Sequence, residues 1–393
     1  MKITGDQQLI KKMNKTIVLD TIRHHQPLSR TDIASSIGLN KATVSSLVLE
    51  LIHSQLVTEI GPGESSGGRK PTLLLFNSNA GYAIGIDIRV HHLLMVLVNL
   101  EGTVIEETTM PITSTEPEEL ISEMANYIKL LSEKASPSPY GIIGIGIGVP
   151  GLVDENRHVV STPNLGWDNI SLQATLEKYI NYPIYIDNEA NAGAVGERLY
   201  GAGLESSNLI YLSIGVGIGS GIIVDGVLYR GTSNFSGEVG HMTVTEEGPL
   251  CRCGNHGCWE TLASEKALLD QAAKALSKPN IILEDLITLA KSGDQTALHL
   301  LEGVGTHLGV GLANLVNILN PELIIIGSRL SLAGNLLEEP MLQTIEKRSL
   351  SYHRKKSGVT FAKLGLRSTA LGAASMPITA FLNEPDRHLA DID

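Results

Sequence analysis

Residues 141–151 read GIIGIGIGVPG, and the texture returns at 208–224 as NLIYLSIGVGIGSGIIV. Both are short apolar runs broken by glycine, which read as buried strands ending in tight turns. Outward from the first copy lie YAIGIDI (82–88), LLMVLVNL (93–100) and GTVIEETTMPI (102–112). These are three consecutive strands, the last two joined at Leu100–Gly102, and a helix over roughly 117–134 separates them from GIIGIGIGVPG. Outward from the second copy, GVLYRGTS (226–233) is again strand, helices follow, and ELIIIGS (322–328) is a buried strand. Two α/β halves of this kind imply two lobes with a cleft between them, the usual place for a ligand.

The chain has 393 residues, more than one domain usually holds, and 42% of them are apolar. No run of 18 uncharged apolar residues interrupts it, so no membrane span is expected. The start, MKITGDQQLIKKMNK, lacks the apolar core of a secretory signal. With three clustered cysteines and no disulfide framework, a reducing, cytoplasmic location is expected.

Net charge is −12, which alone argues against nucleic acid. The charge is unevenly spread. Residues 1–77 hold nine Lys/Arg and six Asp/Glu, while the rest hold 21 and 36. A basic head on an acidic body is the plan of a regulator that meets DNA with one end.

The head supports that reading. Residues 15–25, KTIVLDTIRHH, are helical in spacing, and Pro27 stops them. Ser29 with Asp32 makes a capping box for a second helix burying Ile33, Ala34 and Ile37 and ending at Gly38. Asn40 caps a third, whose apolar stripe is Val44, Leu47, Val48 and Leu51. Lys41, Thr43, Ser45 and Ser46 then face outward near its start, where a recognition helix reaches base edges. LVTEIGPGESSGGRKPTLLLF (56–76) reads as a β-hairpin wing with Arg69 and Lys70 at its base. The candidate DNA contacts are Ser29, Arg30, Lys41, Thr43, Ser45, Ser46, Arg69 and Lys70.

All three cysteines fall in CRCGNHGCWE (251–260), as Cys251, Cys253 and Cys258, and His241 stands ten residues ahead of the first. Three thiolates and an imidazole make the closed Cys3His set of structural Zn2+. Four protein ligands leave no position for an activated water, so metal-assisted hydrolysis is not supported. A clamp there would fix Glu238, three residues before His241, and Glu260, two after Cys258, on one rigid patch. Convergent donors and acceptors of this kind recognise sugar hydroxyls.

In order, IGVPGLVD, TPNLGW, IDNEANAGAVGE, SIGVGIGSGIIVDG, GEVGHMTV and CRCGNHGCWE resemble the repressor/open-reading-frame/kinase (ROK) family of sugar kinases and sugar-responsive repressors. The likeness covers nearly the whole chain, including the SSGGRKP wing of the repressor branch, and is most similar to the xylose-operon repressors of Gram-positive bacteria. It implies an α/β chain with an N-terminal winged helix-turn-helix and a two-lobed, actin-like (ribonuclease-H-like) sugar-binding body with a zinc loop. The expected division is a head at 1–78, a first lobe at 79–196 completed by a C-terminal helix at 369–393, and a second lobe at 197–368. The resemblance places zinc on His241, Cys251, Cys253 and Cys258. It places sugar on Asn188, Glu189, Glu238, His241 and Glu260, with Asn164 as a secondary candidate.

A kinase and a sensor compete within such a family. Where the kinases carry an Asp-x-Gly-x-Thr turn, this chain reads Asp87-Ile88-Arg89-Val90-His91. Their Gly-Thr-Gly is Gly215-Val216-Gly217, their Asn-Asp-Ala-Asn is Asn188-Glu189-Ala190-Asn191, and the adenine-side glycine pair is Gly327-Ser328-Arg329. The nucleotide elements are altered while the sugar and metal positions persist apart from the Asp-to-Glu change at Glu189, so no ATP use and no catalytic residue is expected. The expected function is a repressor of sugar-utilisation genes, with xylose as the sugar on the overall likeness. It would bind an inverted-repeat operator in double-stranded DNA as a homodimer or larger homo-oligomer, with no membrane partner. Repression rather than activation rests on the resemblance, because groove contacts are the same for both.

Overall fold

The structure, a computed structural model, describes residues 7–62 and 71–384. The head consists of α1 (Gln7–His25), β1 (Leu28–Ser29), α2 (Arg30–Ile37), α3 (Lys41–His53), β2 (Val57–Pro62) and β3 (Thr72–Phe76), its small sheet ordered β1-β3-β2. Capping sets the helix boundaries. The Ser29 side chain accepts from the Asp32 N–H, and Asp32 reciprocates on the Ser29 backbone. Gly38 ends α2 at φ 70°, and Asn40 accepts from the Thr43 N–H to start α3. Val44, Leu47, Val48 and Leu51 are buried, as the stripe requires. The wing residues Arg69 and Lys70 lie outside the described residues.

The body repeats one topology. In the first sheet, β4 (Tyr82–Ile88), β5 (His92–Asn99) and β6 (Val104–Pro111) form an antiparallel meander, and α4 (Pro117–Ser132) leads to β7 (Ile142–Val149). A small sheet of β8 (Leu152–Val153), β9 (Val159–Thr162) and β10 (Trp167–Ile170) and the short α5 (Leu172–Leu176) precede β11 (Ile184–Asn188). Strands β7 and β11 add in parallel, giving the order β11-β7-β4-β5-β6. Helix α6 (Glu189–Tyr200) then leads to the second sheet.

There β12 (Leu209–Ile214), β13 (Ile218–Val224) and β14 (Val227–Tyr229) are the meander. The cysteine-bearing loop, α7 (Glu260–Ala263), α8 (Glu265–Ala275), α9 (Leu283–Lys291) and the long α10 (Gln295–Leu319) come before β15 (Leu323–Gly327). Helices α11 (Gly334–Arg348) and α12 (Ser351–Arg354) precede β16 (Gly358–Phe361), and the order is β14-β13-β12-β15-β16. Each sheet is thus a three-strand meander extended by two parallel strands, the actin-like duplication.

The last helix, α13 (Ser368–Asn383), returns to the first sheet and packs across β4 and β7 against α6. Small residues allow this approach. A Cβ on Gly85 would lie 1.9 Å from the Ala370 carbonyl oxygen, one on Gly146 1.8 Å from that of Ala373, and one on Gly372 1.7 Å from that of Ala192. Farther along, Ile378, Phe381 and Leu382 join Val18, Ile22, Leu51 and Leu56 in one continuous core, so head and first sheet share a hydrophobic interior. No helix among the described residues is long and apolar enough to cross a membrane.

Candidate functional site

A cavity of about 660 Å³ opens between the two sheets, at the ends of β4, β7, β11 and β12. The six sugar candidates, Asn164, Asn188, Glu189, Glu238, His241 and Glu260, all line it. They come from four separate segments of chain, brought together by the duplicated fold.

On the second-lobe side stands the cysteine loop. The ligand atoms of His241, Cys251, Cys253 and Cys258 lie within 4.8 Å of one another. Cys251 Sγ is 3.6 Å from His241 Nδ1, and Cys253 Sγ is 3.6 Å from Cys258 Sγ. A tetrahedral cation about 2.3 Å from sulfur and 2.0 Å from nitrogen holds its ligands roughly that far apart. The donor set therefore fits a closed metal site. Bridges Thr243↔Cys258 and Leu250↔His256 fold the loop on itself. Gly257 turns it at φ 67°, where an added Cβ would lie 1.8 Å from the Thr245 carbonyl oxygen. Trp259, fully buried, donates its Nε1–H to the His307 carbonyl at 2.8 Å and anchors the loop to α10.

The thiols differ by environment. The Asn255 backbone N–H draws the Cys253 pKa down to about 7, whereas burial pushes Cys251 up to about 12, with the Glu260 carboxylate 3.1 Å away adding to the rise. Three such sulfurs ionise together only beside a cation. His241 Nδ1 faces Cys251, and its Nε2 lies 3.8 Å from Glu238 Oε2. One ring nitrogen thus serves the ligand cluster while the other is turned to the carboxylate that lines the cavity.

Across the cavity, Asn188 caps α6. Its Oδ1 accepts from the Ala190 and Asn191 N–H groups, and its Nδ2 donates to the Gly151 carbonyl and to Glu189 Oε2. Both polar atoms are therefore engaged, and one of them holds Glu189. Burial, reinforced by the nearby Asp87 and Glu238 charges, raises the Glu189 pKa to about 8. At neutral pH that carboxyl is largely protonated and presents a donor as well as an acceptor. Asp87, also raised by burial, pairs with Arg89 Nε at 2.6 Å.

The far end of the cavity is occupied by paired arginines. Arg89 turns back on Asp87 and the Leu366 carbonyl. Arg329 bonds Glu265 at 2.9 Å and Glu284 at 3.0 Å. Ser328, beside it, sits at φ 62°, ψ −161°, backbone territory that essentially belongs to glycine.

In the head, Lys41 and Ser46 are exposed and Thr43 and Ser45 half-exposed at the start of α3, and Arg30 is paired with Glu59. Ser29 requires a correction. It is 3% exposed and its hydroxyl both accepts from Asp32 N–H and donates to Asp32 Oδ2, so it shapes α2 and does not reach a groove.

Four features were not read from the sequence. Asp187, under the cavity floor, takes a bidentate Arg230 at 2.6 and 3.1 Å. Buried Glu197 accepts from the Ala202, Lys363 and Leu364 N–H groups and the Ser368 hydroxyl. Thr369, at the start of α13, lines the cavity and donates to the Glu189 carbonyl. Arg252, between two cysteines, reaches Asn164 across the cavity mouth. Of these, only Arg252 left a local clue, its place inside the cysteine motif.

Residues 83–379 match the ROK family model. A relative from Bacillus subtilis named a xylose repressor is 41% identical over 96% of this chain and 98% of its own length. Among solved structures, a ROK family transcriptional regulator described as a homolog of Escherichia coli MLC aligns with a TM-score of 0.82 at 27% identity, covering 95% of this chain and 97% of its own. A ROK family glucokinase from Streptomyces griseus, solved with glucose and AMPPNP, aligns with a TM-score of 0.69 at 29% identity, covering 75% of this chain and 99% of its own. The chain belongs to the ROK family.

Proposed function

We propose that this protein is a cytoplasmic, DNA-binding repressor of sugar-utilisation genes that leaves its operator when a sugar, xylose by the likeness to named xylose repressors, occupies the interlobe cavity. The observation that carries this reading is the asymmetry of the cavity. Its sugar side gathers two carboxylates, an imidazole and a protonated Glu189 around a metal-ligand cluster, while its nucleotide side holds Arg89 and Arg329 in ion pairs.

His241, Cys251, Cys253 and Cys258 would hold zinc, which supplies rigidity to the wall bearing Glu238 and Glu260. Those carboxylates and the free nitrogen of His241 accept and donate to ring hydroxyls, and Glu189 meets the sugar from the opposite lobe. Phosphoryl transfer would need a backbone cradle for phosphates. Here the turn after β4 carries Arg89 in place of glycine, and Arg89 and Arg329 fill that end of the cavity in ion pairs. The protein therefore binds without reacting.

Sugar bridging the two lobes favours one lobe arrangement. Helix α13 begins in the cavity at Thr369 and ends in the head core at Phe381 and Leu382, so the arrangement reaches α3 through packed side chains. In a homodimer this resets the spacing of two recognition helices relative to half-sites about 34–36 Å apart on an inverted repeat. Lys41, Thr43, Ser45 and Ser46 make the contacts from α3. The coupling is reciprocal and of order 1–3 kcal/mol, so operator DNA weakens sugar binding by the same factor.

The test is titration of xylose, glucose and N-acetylglucosamine into the metal-loaded protein, by calorimetry and in an operator gel shift, with an ATP-consumption assay alongside. Xylose binding with operator release and no ATP turnover is expected. Operator affinity unchanged at saturating xylose, or phosphate transfer to the sugar at ordinary enzyme rates, would overturn the reading.

A further inference from the structure

The two walls of the cavity mouth meet through one side chain. Arg252 Nη2 donates to Asn164 Oδ1 at 2.7 Å, and its Nη1 lies 3.5 Å from the Pro163 carbonyl. Asn164 and Pro163 belong to the first lobe, Arg252 to the second, and all three line the cavity.

Both ends of this bridge are fixed at their bases. On the first lobe, Leu165 and Gly166 donate their N–H groups to the Thr162 carbonyl, Leu165 and Trp167 are buried, and Trp167 Nε1–H bonds the Thr115 carbonyl at 2.7 Å. Only the Pro163–Asn164 tip overhangs the cavity. On the second lobe, Arg252 stands between Cys251 and Cys253, where the Cys251 N–H donates to the Asn255 carbonyl and the Gly254 N–H to that of Cys251. A charged donor carried on a stiff loop is worth more than one on a free chain, because less side-chain and backbone freedom is lost when it bonds.

We infer that Arg252 is a positioning residue: it latches the Pro163–Asn164 loop over the ligand and makes retention of the sugar depend on the metal loop. The inference rests on the sugar reading proposed above for the occupant, but the latch itself is a property of two loops. Asn164 has its carbonyl committed to the guanidinium, which turns its amide nitrogen free to donate elsewhere. A cation held by His241, Cys251, Cys253 and Cys258 would thereby steady the ligand's surroundings from two directions, through Glu238 and Glu260 on the wall and through Arg252 on the lid. The clasp of Arg230 on Asp187, with Asn234 Nδ2 on the Val153 carbonyl at 2.8 Å, joins the same lobes elsewhere, so removal of Arg252 opens the mouth without separating them.

Latches reveal themselves in dissociation. The full-length, zinc-loaded protein is compared with Arg252→Ala, Arg252→Lys and Asn164→Ala by three measurements: zinc content, hydrogen exchange of the peptide covering 162–167 without sugar, and stopped-flow binding of xylose. Loss of one charge-assisted hydrogen bond is expected to speed exchange of that peptide and xylose dissociation by about tenfold. In the Arg252 variants zinc content and the association rate should stay as in the wild type, and Arg252→Lys should recover part of both changes. Unchanged exchange at 162–167 in Arg252→Ala overturns the latch. A slower association with unaltered dissociation also overturns it, since that would make Arg252 a steering charge. Should the wild type bind none of the sugars, the sugar reading fails, and the exchange measurement still decides the latch.

Discussion

Tyr140 and Phe381 meet edge to face, with ring centroids 4.7 Å apart and planes at 73°, and the Tyr140 hydroxyl donates to the Ser54 carbonyl at 2.9 Å. Ser54 caps the C-terminus of α3 and Phe381 lies in the last turn of α13. The pair therefore ties the end of α3 to the end of the helix that starts in the cavity. Tyr140→Phe keeps the ring contact and removes the hydrogen bond. We expect sugar affinity within twofold of wild type and a loss of sugar-induced operator release amounting to about 1 kcal/mol of coupling, roughly fivefold. Operator titrations with and without xylose measure it.

Removing one ligand tests the clamp. Cys253→Ala should lower bound zinc from one per chain to near zero and weaken xylose by at least about tenfold, because Glu238 and Glu260 lose their common support. Trp259 keeps the loop attached to α10, so far-ultraviolet circular dichroism should change little. Metal analysis and calorimetry on one preparation provide the check.

Ser29 and Lys41 separate folding from recognition. Ser29→Ala deletes a buried cap and should destabilise the head by about 1 kcal/mol, seen as a lower unfolding midpoint. Lys41→Ala, on an exposed position of α3, should leave stability unchanged and reduce the slope of log affinity against log salt by about one.

Ser328 holds a conformation that glycine adopts without strain. Ser328→Gly should relieve about 1 kcal/mol and raise the melting temperature by roughly 1 °C, even though glycine usually destabilises. Calorimetric unfolding decides it.

The raised Glu189 pKa makes a signed prediction. Its folded pKa of about 8 exceeds the ordinary value of 4.5, so the folded protein binds more protons than the unfolded chain between those limits. Stability from this group is fully present below pH 4.5 and is lost as pH rises through 8. Asp87, raised for the same reason, acts with the same sign. Between pH 6 and 8 wild-type stability should fall with a slope on the order of 1 kcal/mol per pH unit. Glu189→Gln should flatten that slope, read from urea unfolding at a series of pH values.

Legibility followed sequence distance. The Ser29–Asp32 box, the Gly38 stop, the Asn40 cap and the Cys3His cluster were readable because their partners lie within 17 residues and local geometry decides them. The repeated strands were readable because a two-residue period and glycine turns need no partner. Arg252 on Asn164, Arg230 on Asp187 and Thr369 on the Glu189 carbonyl join residues 88, 43 and 180 positions apart. No periodicity encodes such pairs, since the duplicated topology alone brings them together. Ser29 shows the opposite error, a residue whose short polar side chain fitted two roles and whose burial left only one.

The glycine–alanine seam of α13 has a mechanical meaning. With Gly85, Gly146 and Gly372 admitting backbone to within van der Waals contact of Ala370, Ala373 and Ala192, the side chains left in that joint are short ones such as Thr369, Ala374 and Pro377, with little length to swing aside and soak up a displacement. A tilt imposed by a cargo at the mouth of the cleft would then pass to the head with little slack, as through a keyed shaft. Specificity can then be retuned by exchanging the residues that greet the cargo, with the drive train left untouched.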